Sequence, residues 1–371
     1  MTINLFGSRV NKKKILLAVG GTAGHMFPAQ GLARELLEQH PEIELLFAGK
    51  GLSTNPYFDR DLYLCHDVES LTPFRGNPFK ALYTLFKGIA ASVALLAKEK
   101  PQLVVGFGSF HSFPLLFAAV LKKIPFVLFE SNTVPGRVVR LFSKRALFTG
   151  IYFSLAQKYL KGKTIEVQIP THKRFKKESL SREEAHRQLS LDPQLITLLV
   201  FGGSQGAKQM NETLKEVLPL LHKEHFQFQL IHFTGDEKSV EQMCAICAQL
   251  GIRCYIKKFE PQMLFAWTAA DLVICRAGAM TLSELLHYEV PGILIPYPFA
   301  SDQHQLKNAL FIEDNVQGAI HLPQSSLNAE KLSLAILSLA KGRGEEMRRA
   351  IVRFKKTQTK KTLSQLVSEI L

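Results

Sequence analysis

The residues whose types and spacing are best suited to binding a ligand form one run, Cys-Arg-Ala-Gly-Ala-Met-Thr-Leu-Ser-Glu, from Cys275 to Glu284. A small-residue loop follows Cys275 and leads into a helix predicted to begin near Thr281. The N–H groups of a helix start can bind phosphate, and Arg276 would add a charge-assisted contact. Glu284 suits hydrogen bonding to a sugar diol such as ribose. The alternative is that Thr281 and Glu284 form a capping box, a common Thr-x-x-Glu motif.

Two Gly-rich turns suggest the same kind of ligand. Gly-Gly-Thr-Ala-Gly-His occupies residues 20–25, and Gly-Gly-Ser-Gln-Gly-Ala occupies residues 202–207. Glycine lets the backbone approach a ligand closely, although such a turn can also serve only as a tight strand-helix connection. Neither turn is GxGxxG or GxxxxGK[ST], so the usual dinucleotide and Walker fingerprints are absent. Two equivalent turns, one of which ends in His25, favour a ligand cleft at the carboxyl ends of parallel strands.

The elements that must position these turns are short buried strands separated by helical patterns. Apolar runs predict strands at residues 15–19, 45–48, 103–105, 126–129, 197–201, 230–233, 272–275 and 292–296. Continuous apolar strands that alternate with helices are typical of parallel sheets covered on both faces. The sequence therefore predicts an α/β protein.

An internal repeat extends this prediction. Residues 16–24 align without a gap on residues 198–206, and residues 103–106 find a counterpart in residues 272–275. Two tandem Rossmann-like domains facing a cleft explain both matches. We expect a first domain at residues 14–172 and a second at residues 173–345, with a C-terminal helix at residues 346–371 that packs back on the first.

Composition limits the class of protein and its partners. Hydrophobic residues make up 46% of the 371 residues, which excludes disorder as the main state. The net charge of +14 predicts a face that meets an anion, whether a nucleotide, a nucleic acid or an acidic membrane. The basic residues near the C-terminus cluster in a predicted helix, whereas single-stranded nucleic acid is typically bound by basic residues interleaved with exposed aromatic residues on a sheet or loop, so we expect no nucleic-acid partner.

Metal sites and disulfides are not expected. The five cysteines are scattered, and the pair Cys244 and Cys247 is interpreted as ordinary thiols on one helix in a reducing compartment. Asp59-Arg60-Asp61 has the spacing of a metal-binding DxD motif, but its polar surroundings indicate a solvated loop. We therefore expect a metal-independent protein without a cofactor.

One helical pattern raises the question of a membrane. Apolar residues recur at helical spacing at Phe79, Leu82, Tyr83, Phe86, Ile89, Val93 and Leu96, with Lys80 and Lys87 among them. One interpretation is a crossover helix that packs on the first sheet. The other is a surface helix that binds anionic lipid, because basic residues lie beside exposed apolar ones. The sequence predicts peripheral membrane binding through residues 74–86.

Several motifs together resemble the MurG family. They are the two Gly-rich turns, the run from Arg276 to Glu284, and Asp302-x-x-Gln305-x-x-Asn308-Ala309. The segment Glu130-Ser131-Asn132-x-x-Pro135-Gly136 is similar to the family's Glu-Gln-Asn-x-x-Pro-Gly. The chain departs from the family pattern at Ala23, where the family has Gly, at the second loop Gly106-Phe107-Gly108-Ser109-Phe110, and at Ile169-Pro170-Thr171-His172, which lacks the family's Arg.

The resemblance implies a GT-B glycosyltransferase of peptidoglycan synthesis. Such an enzyme would move N-acetylglucosamine, with inversion, from UDP-N-acetylglucosamine to the C4 hydroxyl of undecaprenyl-linked lipid I, which gives lipid II. It would work as a peripheral protein at the cytoplasmic face of the inner membrane. Another GT-B sugar-nucleotide enzyme, such as a 2-epimerase, and a basic nucleic-acid-binding protein are the alternatives.

The resemblance also assigns roles to residues. His25 is the candidate general base, with a structural role in its loop as the alternative. The donor-binding candidates are Thr22, Ala23, Gly24, Asn132, Ser204, Gln205, Arg276, Ala279, Met280, Thr281, Glu284 and Gln305. The candidates for the acceptor and its diphosphate are Gly21, Gly106, Gly108, Ser109, Glu130 and Asn308.

Overall fold

The structure is a computed structural model that describes residues 13–70, 78–170, 180–203, 207–357 and 360–371. The chain divides into two compact units. Of the described residues, unit 1 contains 13–70, 78–131, 135–170 and 360–371, and unit 2 contains 132–134, 180–203 and 207–357.

Unit 1 is built on an eight-stranded sheet whose strand pairs are all parallel. Its strands are β1 (Lys14–Ala18), β2 (Glu44–Gly49), β3 (Leu64–Asp67), β4 (Leu103–Gly106), β5 (Phe126–Glu130), β6 (Thr149–Ile151), β7 (Thr164–Gln168) and β14 (Lys361–Thr362). Their order across the sheet is β3-β2-β1-β4-β5-β6-β7-β14. The helices are α1 (Ala23–Gln39), α2 (Pro78–Glu99), α3 (Phe113–Lys122), α4 (Arg137–Phe142) and α13 (Leu363–Ser368).

Unit 2 repeats this plan on a six-stranded parallel sheet. Its strands are β8 (Ile196–Phe201), β9 (Phe228–Phe233), β10 (Cys254–Lys257), β11 (Leu272–Cys275), β12 (Gly292–Leu294) and β13 (Ala319–His321), in the order β10-β9-β8-β11-β12-β13. Its helices are α5 (Arg182–Gln188), α6 (Lys208–Lys223), α7 (Glu237–Leu250), α8 (Met263–Ala269), α9 (Ala279–Tyr288), α10 (His304–Phe311), α11 (Ala329–Ser338) and α12 (Gly344–Thr357).

The strand order places both Gly-rich turns at equivalent points. β1 lies between β2 and β4, and β8 lies between β9 and β11, so the order reverses next to β1 and next to β8. In a doubly wound sheet, ligands bind outside the carboxyl ends of the strands at this reversal. The predicted α/β class and the two Rossmann-like domains are confirmed, and all eight predicted strands are present.

The predicted apolar stripe of α2 is buried in the C-terminal half of the helix and exposed in the N-terminal half. Toward its C-terminal end, Ser92 and Leu96 are buried, and the neighbouring Val93 packs against the core of unit 1. Toward its N-terminal end, four large apolar side chains are exposed: Phe79, Leu82, Tyr83 and Phe86. Ala81–Glu99 is also the one described segment long and apolar enough, by length and composition, to cross a membrane.

The C-terminal part of the chain is shared between the units. The helix α12 stays with unit 2, and only residues 360–371 belong to unit 1, where β14 pairs with β7 and α13 contacts α1. The sequence predicts that the whole of residues 346–371 packs on the first domain as one helix. In the structure only residues 360–371 do so, because α12 belongs to unit 2. The buried side chains that fix α13 in unit 1 include Leu363 and Val367.

Candidate functional site: two strand-end turns

In unit 1 the turns after β1 and β4 lie side by side. Gly21 has φ +91° and Gly108 has φ +74°, conformations that glycine adopts without steric cost. A Cβ added to Gly108 would stand 3.9 Å from Nε2 of His25, so the imidazole lies beside the second turn. Nδ1 of His25 is 3.5 Å from Oγ1 of Thr22. Ser109 also has positive φ, +68°, which is strained for a residue with a Cβ.

A second imidazole, that of His111, lies beneath the first turn and was missed by the sequence reasoning. A Cβ at Gly20 would come within 2.6 Å of the His111 Cβ. Nδ1 of His111 is 2.6 Å from Oγ of Ser70, and its backbone N–H donates to Ser109 Oγ. Burial, helped by the charge of Lys50, lowers the pKa of His111. In the sequence, the one indication that His111 lies near the site is its place five residues after Gly106.

Glu130 closes the loop that follows β5. It is buried, and its Oε2 accepts a 2.8 Å hydrogen bond from the backbone N–H of Gly136. The same contact places Gly136 at the N-terminus of α4. The carboxylate thus has a role in holding its own loop, whereas the sequence predicted a contact with the acceptor.

In unit 2 the helix α9 begins at Ala279, two residues earlier than predicted. Its N-cap is Gly278, which supplies no side-chain cap, and Leu282 N–H donates to Gly278 O. Ala279, Met280 and Thr281 therefore form the first turn, where N–H groups have no acceptor within the helix. The capping-box alternative for Thr281 and Glu284 is wrong, because Thr281 lies inside the helix.

Glu284 is instead held by a residue from another helix. It is 8% exposed, and its Oε2 accepts a hydrogen bond of 3.1 Å from Nε1 of Trp267 in α8. Burial raises the pKa of Glu284 to about 8, and the hydrogen bond from Trp267 opposes that rise. A buried carboxyl group with a shifted pKa, on a helix that follows a strand next to the order reversal, is a candidate binding-site residue.

Arg276 and Gln305 are both fixed next to the end of β12. The guanidinium of Arg276 donates to the carbonyls of Ile295 and Pro296 at 3.0 and 3.3 Å. It also lies 5.8 Å from the ring centre of Tyr297, whose backbone N–H donates to Oε1 of Gln305. The two predicted donor-binding residues therefore belong to one local arrangement.

Asn308, a predicted acceptor contact, has hydrogen-bond partners within its own unit. It is fully buried, and its Oδ1 accepts from both N–H and Oγ1 of Thr133. Its Nδ2 donates to Oδ1 of Asn132 at 3.2 Å and to the carbonyl of Ala277. Asn308 therefore ties Asn132 to the loop that precedes α9, and Asn132 itself remains partly exposed.

Other predicted residues have simpler outcomes. Thr22 is exposed and Gly24 partly so, at the start of α1, and Gly106 ends β4. Ser204, Gln205 and the side chain of Ala23 lie outside the described residues. Asp302 does not share a helical face with Gln305, because it has φ +51° and α10 starts only at His304.

The thiols and the Asp-x-Asp sequence lie in separate parts of the chain. Cys244 and Cys247 lie on α7, as predicted, and Cys254 begins β10 nearby. Hydrogen bonds from the thiols of Cys247 and Cys244 lower the pKa of Cys254. Asp59 and Asp61 lie in a turn region between β2 and β3. Within the described ranges, no group of three or more His, Cys, Asp or Glu residues could hold a metal ion.

Comparison with known proteins places this site in a family. Residues 15–151 match the glycosyltransferase family 28 N-terminal domain, and residues 197–366 match the family 28 C-terminal domain. A UDP-N-acetylglucosamine--N-acetylmuramyl-(pentapeptide) pyrophosphoryl-undecaprenol N-acetylglucosamine transferase of Protochlamydia amoebophila is 40% identical, over 86% of this chain and 85% of the relative. The Chlamydia muridarum protein of the same name is 34% identical over 96% and 98%.

The fold agrees with these relatives. The crystal structure of Acinetobacter baumannii MurG superposes with a TM-score of 0.72, at 24% identity, over 96% of this chain and 98% of that one. The family models, the relatives and the fold all indicate the same family. The chain belongs to glycosyltransferase family 28 and, within it, to the MurG family of N-acetylglucosamine transferases.

Proposed function

We propose that this enzyme transfers N-acetylglucosamine from UDP-N-acetylglucosamine to the C4 hydroxyl of undecaprenyl-linked N-acetylmuramoyl-pentapeptide, converting lipid I into lipid II. The observation that carries the proposal is the identity of 34–40% to transferases named for this donor and acceptor, over most of the chain. The names of these relatives give no support to a 2-epimerase or a nucleic-acid-binding protein.

Unit 2 would bind the donor. The ribose hydroxyls would donate to Glu284, and the diphosphate would lie against the first turn of α9. Negative charge grows on the departing UDP as the sugar leaves. The helix N-terminus and Arg276 are groups that stabilise such charge, and Arg276 is already oriented by two backbone carbonyls.

Unit 1 would bind the acceptor. The turns after β1 and β4 present backbone N–H groups to the acceptor diphosphate, and Gly21 and Gly108 keep those turns free of side chains. His25, beside Gly108, would take the proton of the attacking hydroxyl, because imidazole exchanges a proton near neutral pH. The hydroxyl would displace UDP from the anomeric carbon with inversion.

The enzyme would act as a peripheral protein on the cytoplasmic face of the inner membrane, where a lipid-linked acceptor lies. The exposed half of α2 supports this proposal, with Phe79 81% exposed and Phe86 61% exposed. A cavity of about 850 Å³ in the same unit is lined mainly by basic side chains, which suit anionic lipid. They are Arg137, Arg140, Lys144, Arg145 and Lys161. Phe74, part of the predicted binding segment, lies outside the described residues.

The decisive experiment measures UDP release from UDP-N-acetylglucosamine with and without a soluble lipid I analogue. Acceptor-dependent release, together with a product that carries one added N-acetylglucosamine, is expected. A folded sample that binds UDP but releases none in the presence of acceptor would refute the proposed reaction. Release without acceptor, accompanied by free sugar, would instead indicate a hydrolase.

A further inference from the structure

The single tryptophan of the chain lies at the centre of unit 2. Trp267 is the one Trp among 371 residues, and it is 1% exposed. Its indole N–H donates to Glu284, so the polar atom of a buried ring faces the carboxyl group predicted to hold the donor. A buried indole N–H normally finds a hydrogen-bond partner, and here the partner is a carboxyl group whose pKa is raised by burial.

Packing leaves the indole little freedom to turn away. Its ring stacks on Tyr288 with an interplanar angle of 5° and a centroid separation of 5.9 Å. Phe201 meets it edge-on at 5.7 Å. Phe201 ends β8 immediately before Gly202 and Gly203, and Tyr288 ends α9, so the ring is fixed by both elements that carry the donor-binding residues.

The carboxyl group has few other interactions that would orient it. The pKa of Glu284 is set by burial and by the indole alone, with no described cation contributing. The nearby titratable groups, the thiol of Cys275 on β11 and the phenol of Tyr288 on α9, have pKa values raised mainly by burial. Neither supplies a positive charge, so the indole N–H is the group that opposes the cost of burying this carboxyl.

We propose that Trp267 is a positioning residue, whose N–H fixes the rotation of the Glu284 carboxyl group so that its oxygens accept both hydroxyls of the donor's ribose. This inference rests on the proposed function, since it concerns the same donor. A carboxyl group that rotates freely would have to be ordered when the ligand binds, whereas one held at Oε2 is ordered beforehand. Trp267 therefore contributes to recognition of a diol without touching it.

The test compares UDP with 2′-deoxy-UDP by calorimetric titration. The unsubstituted protein should prefer UDP, and Trp267→Phe, which keeps an aromatic ring but removes the N–H, should weaken UDP binding roughly tenfold. The same variant should lose most of the preference over 2′-deoxy-UDP. In turnover, its KM for UDP-N-acetylglucosamine should rise more than its kcat falls. Tyr288→Phe is the matched control, because it keeps the ring stack and the indole N–H, and it should retain the preference.

Three outcomes would count against the inference. Equal weakening of both nucleotides by Trp267→Phe, which would keep the full preference for UDP, would overturn the positioning role and leave only packing. Unchanged affinity of the variant for both nucleotides would overturn it as well. Absence of UDP binding by the unsubstituted protein would refute the proposed donor, and the inference with it. The first two results can be told apart from this one because in both of them the unsubstituted protein binds UDP.

A second measurement needs no folded Trp267 variant. Because the protein has one Trp, its emission reports on this hydrogen bond. The emission should change as Glu284 titrates and again when UDP binds, and Glu284→Gln should abolish the pH response. An emission that is constant through the titration would mean that the indole does not sense the carboxyl group, and would overturn the proposal.

Discussion

Gly21 and Gly203, which lie 182 residues apart, adopt the same left-handed backbone conformation, with φ +91° and +85°. Each is the second glycine after the first strand of its unit, so the repeat seen in the sequence is also a repeat of backbone geometry. The surroundings differ. A Cβ on Gly21 would lie 3.3 Å from Cδ2 of His111, whereas a Cβ on Gly203 meets no described atom within 4 Å.

The pair predicts unequal costs for the same substitution. Gly203→Ala should lower the free energy of unfolding by about 1–2 kcal/mol, the cost of a left-handed residue with a Cβ. Gly21→Ala should cost more, because His111 must also move. Urea unfolding of both variants measures the difference. A smaller loss for Gly21→Ala than for Gly203→Ala would contradict the contact with His111.

His25 and His111 should differ in their effect on the reaction. His25→Ala should reduce kcat by about 10²–10⁴, with UDP affinity unchanged, if it removes a general base. His111→Ala should weaken acceptor binding and stability by loosening the turn at Gly20, with a smaller effect on kcat. The pH profile of kcat separates the two, since only His25→Ala should lose the dependence on a basic group. A profile unchanged in His25→Ala would assign His25 the structural role.

Binding of the donor should release a proton from Glu284. Burial raises its pKa to about 8, so the carboxyl group is largely protonated in the free protein at pH 7. Hydroxyl donors favour the ionised form, so UDP binding should release a proton near pH 7. Calorimetry in two buffers with different ionisation enthalpies measures that release. Glu284→Gln should weaken UDP binding by about 1–3 kcal/mol and abolish the release; a release that persists would point to another group.

The same pKa predicts a change in stability with a definite sign. In the unfolded chain this carboxyl ionises near pH 4.3, and in the folded chain near pH 8. Between these values the folded state binds more protons, so the contribution of Glu284 to stability falls as pH rises and is constant above about 8. Glu284→Gln should therefore melt at a higher temperature than the unsubstituted protein at pH 8, and this advantage should vanish at pH 4. A lower melting temperature at pH 8 would contradict the raised pKa.

Asn308 should be more important for stability than for chemistry. Asn308→Ala would leave the N–H of Thr133 without its buried acceptor, at a cost of about 1–3 kcal/mol. It should also release Asn132 from its partner and so weaken sugar binding more than UDP binding. Thermal unfolding and titration with UDP and UDP-N-acetylglucosamine measure both effects. Unaltered stability with weaker binding of a lipid I analogue would instead favour the direct acceptor contact predicted from sequence.

The exposed end of α2 should determine membrane binding. Replacing Phe79, Leu82 and Phe86 together by Gln should abolish co-sedimentation with anionic vesicles, which should also decrease with salt in the unsubstituted protein. Leu334→Gln is the control, because Leu334 is 60% exposed but belongs to unit 2. Equal binding by the triple variant and the unsubstituted protein would place the membrane surface elsewhere.

Local sequence patterns predicted the fold well because the central strands are continuous apolar runs. The missed strands are short or polar: β3 reads Leu-Cys-His-Asp with no fully buried residue, and β14 has two residues. Such edge strands form because a neighbour offers backbone partners, which their own side chains do not reveal. The site was predicted in part for a similar reason. Thr281 and Glu284 have capping-box spacing, but only the packing of α8 against α9 determines that Glu284 meets Trp267.

The position of β14 has a consequence for how the protein is made. β14 adds to β7 by pairing residues that are far apart in sequence, Lys361 with Val167 and Thr362 with Gln168. Beside this pairing, the side chain of Gln168 donates a hydrogen bond to the carbonyl of Lys360, across a separation of 192 residues. On the ribosome, β7 must therefore wait with an unpaired edge while the whole of unit 2 is synthesised. A fragment cut after residue 170 would keep that open edge and lack the apolar side chains of α13. Expression of unit 1 by itself should require residues 360–371 to be joined to it by a linker.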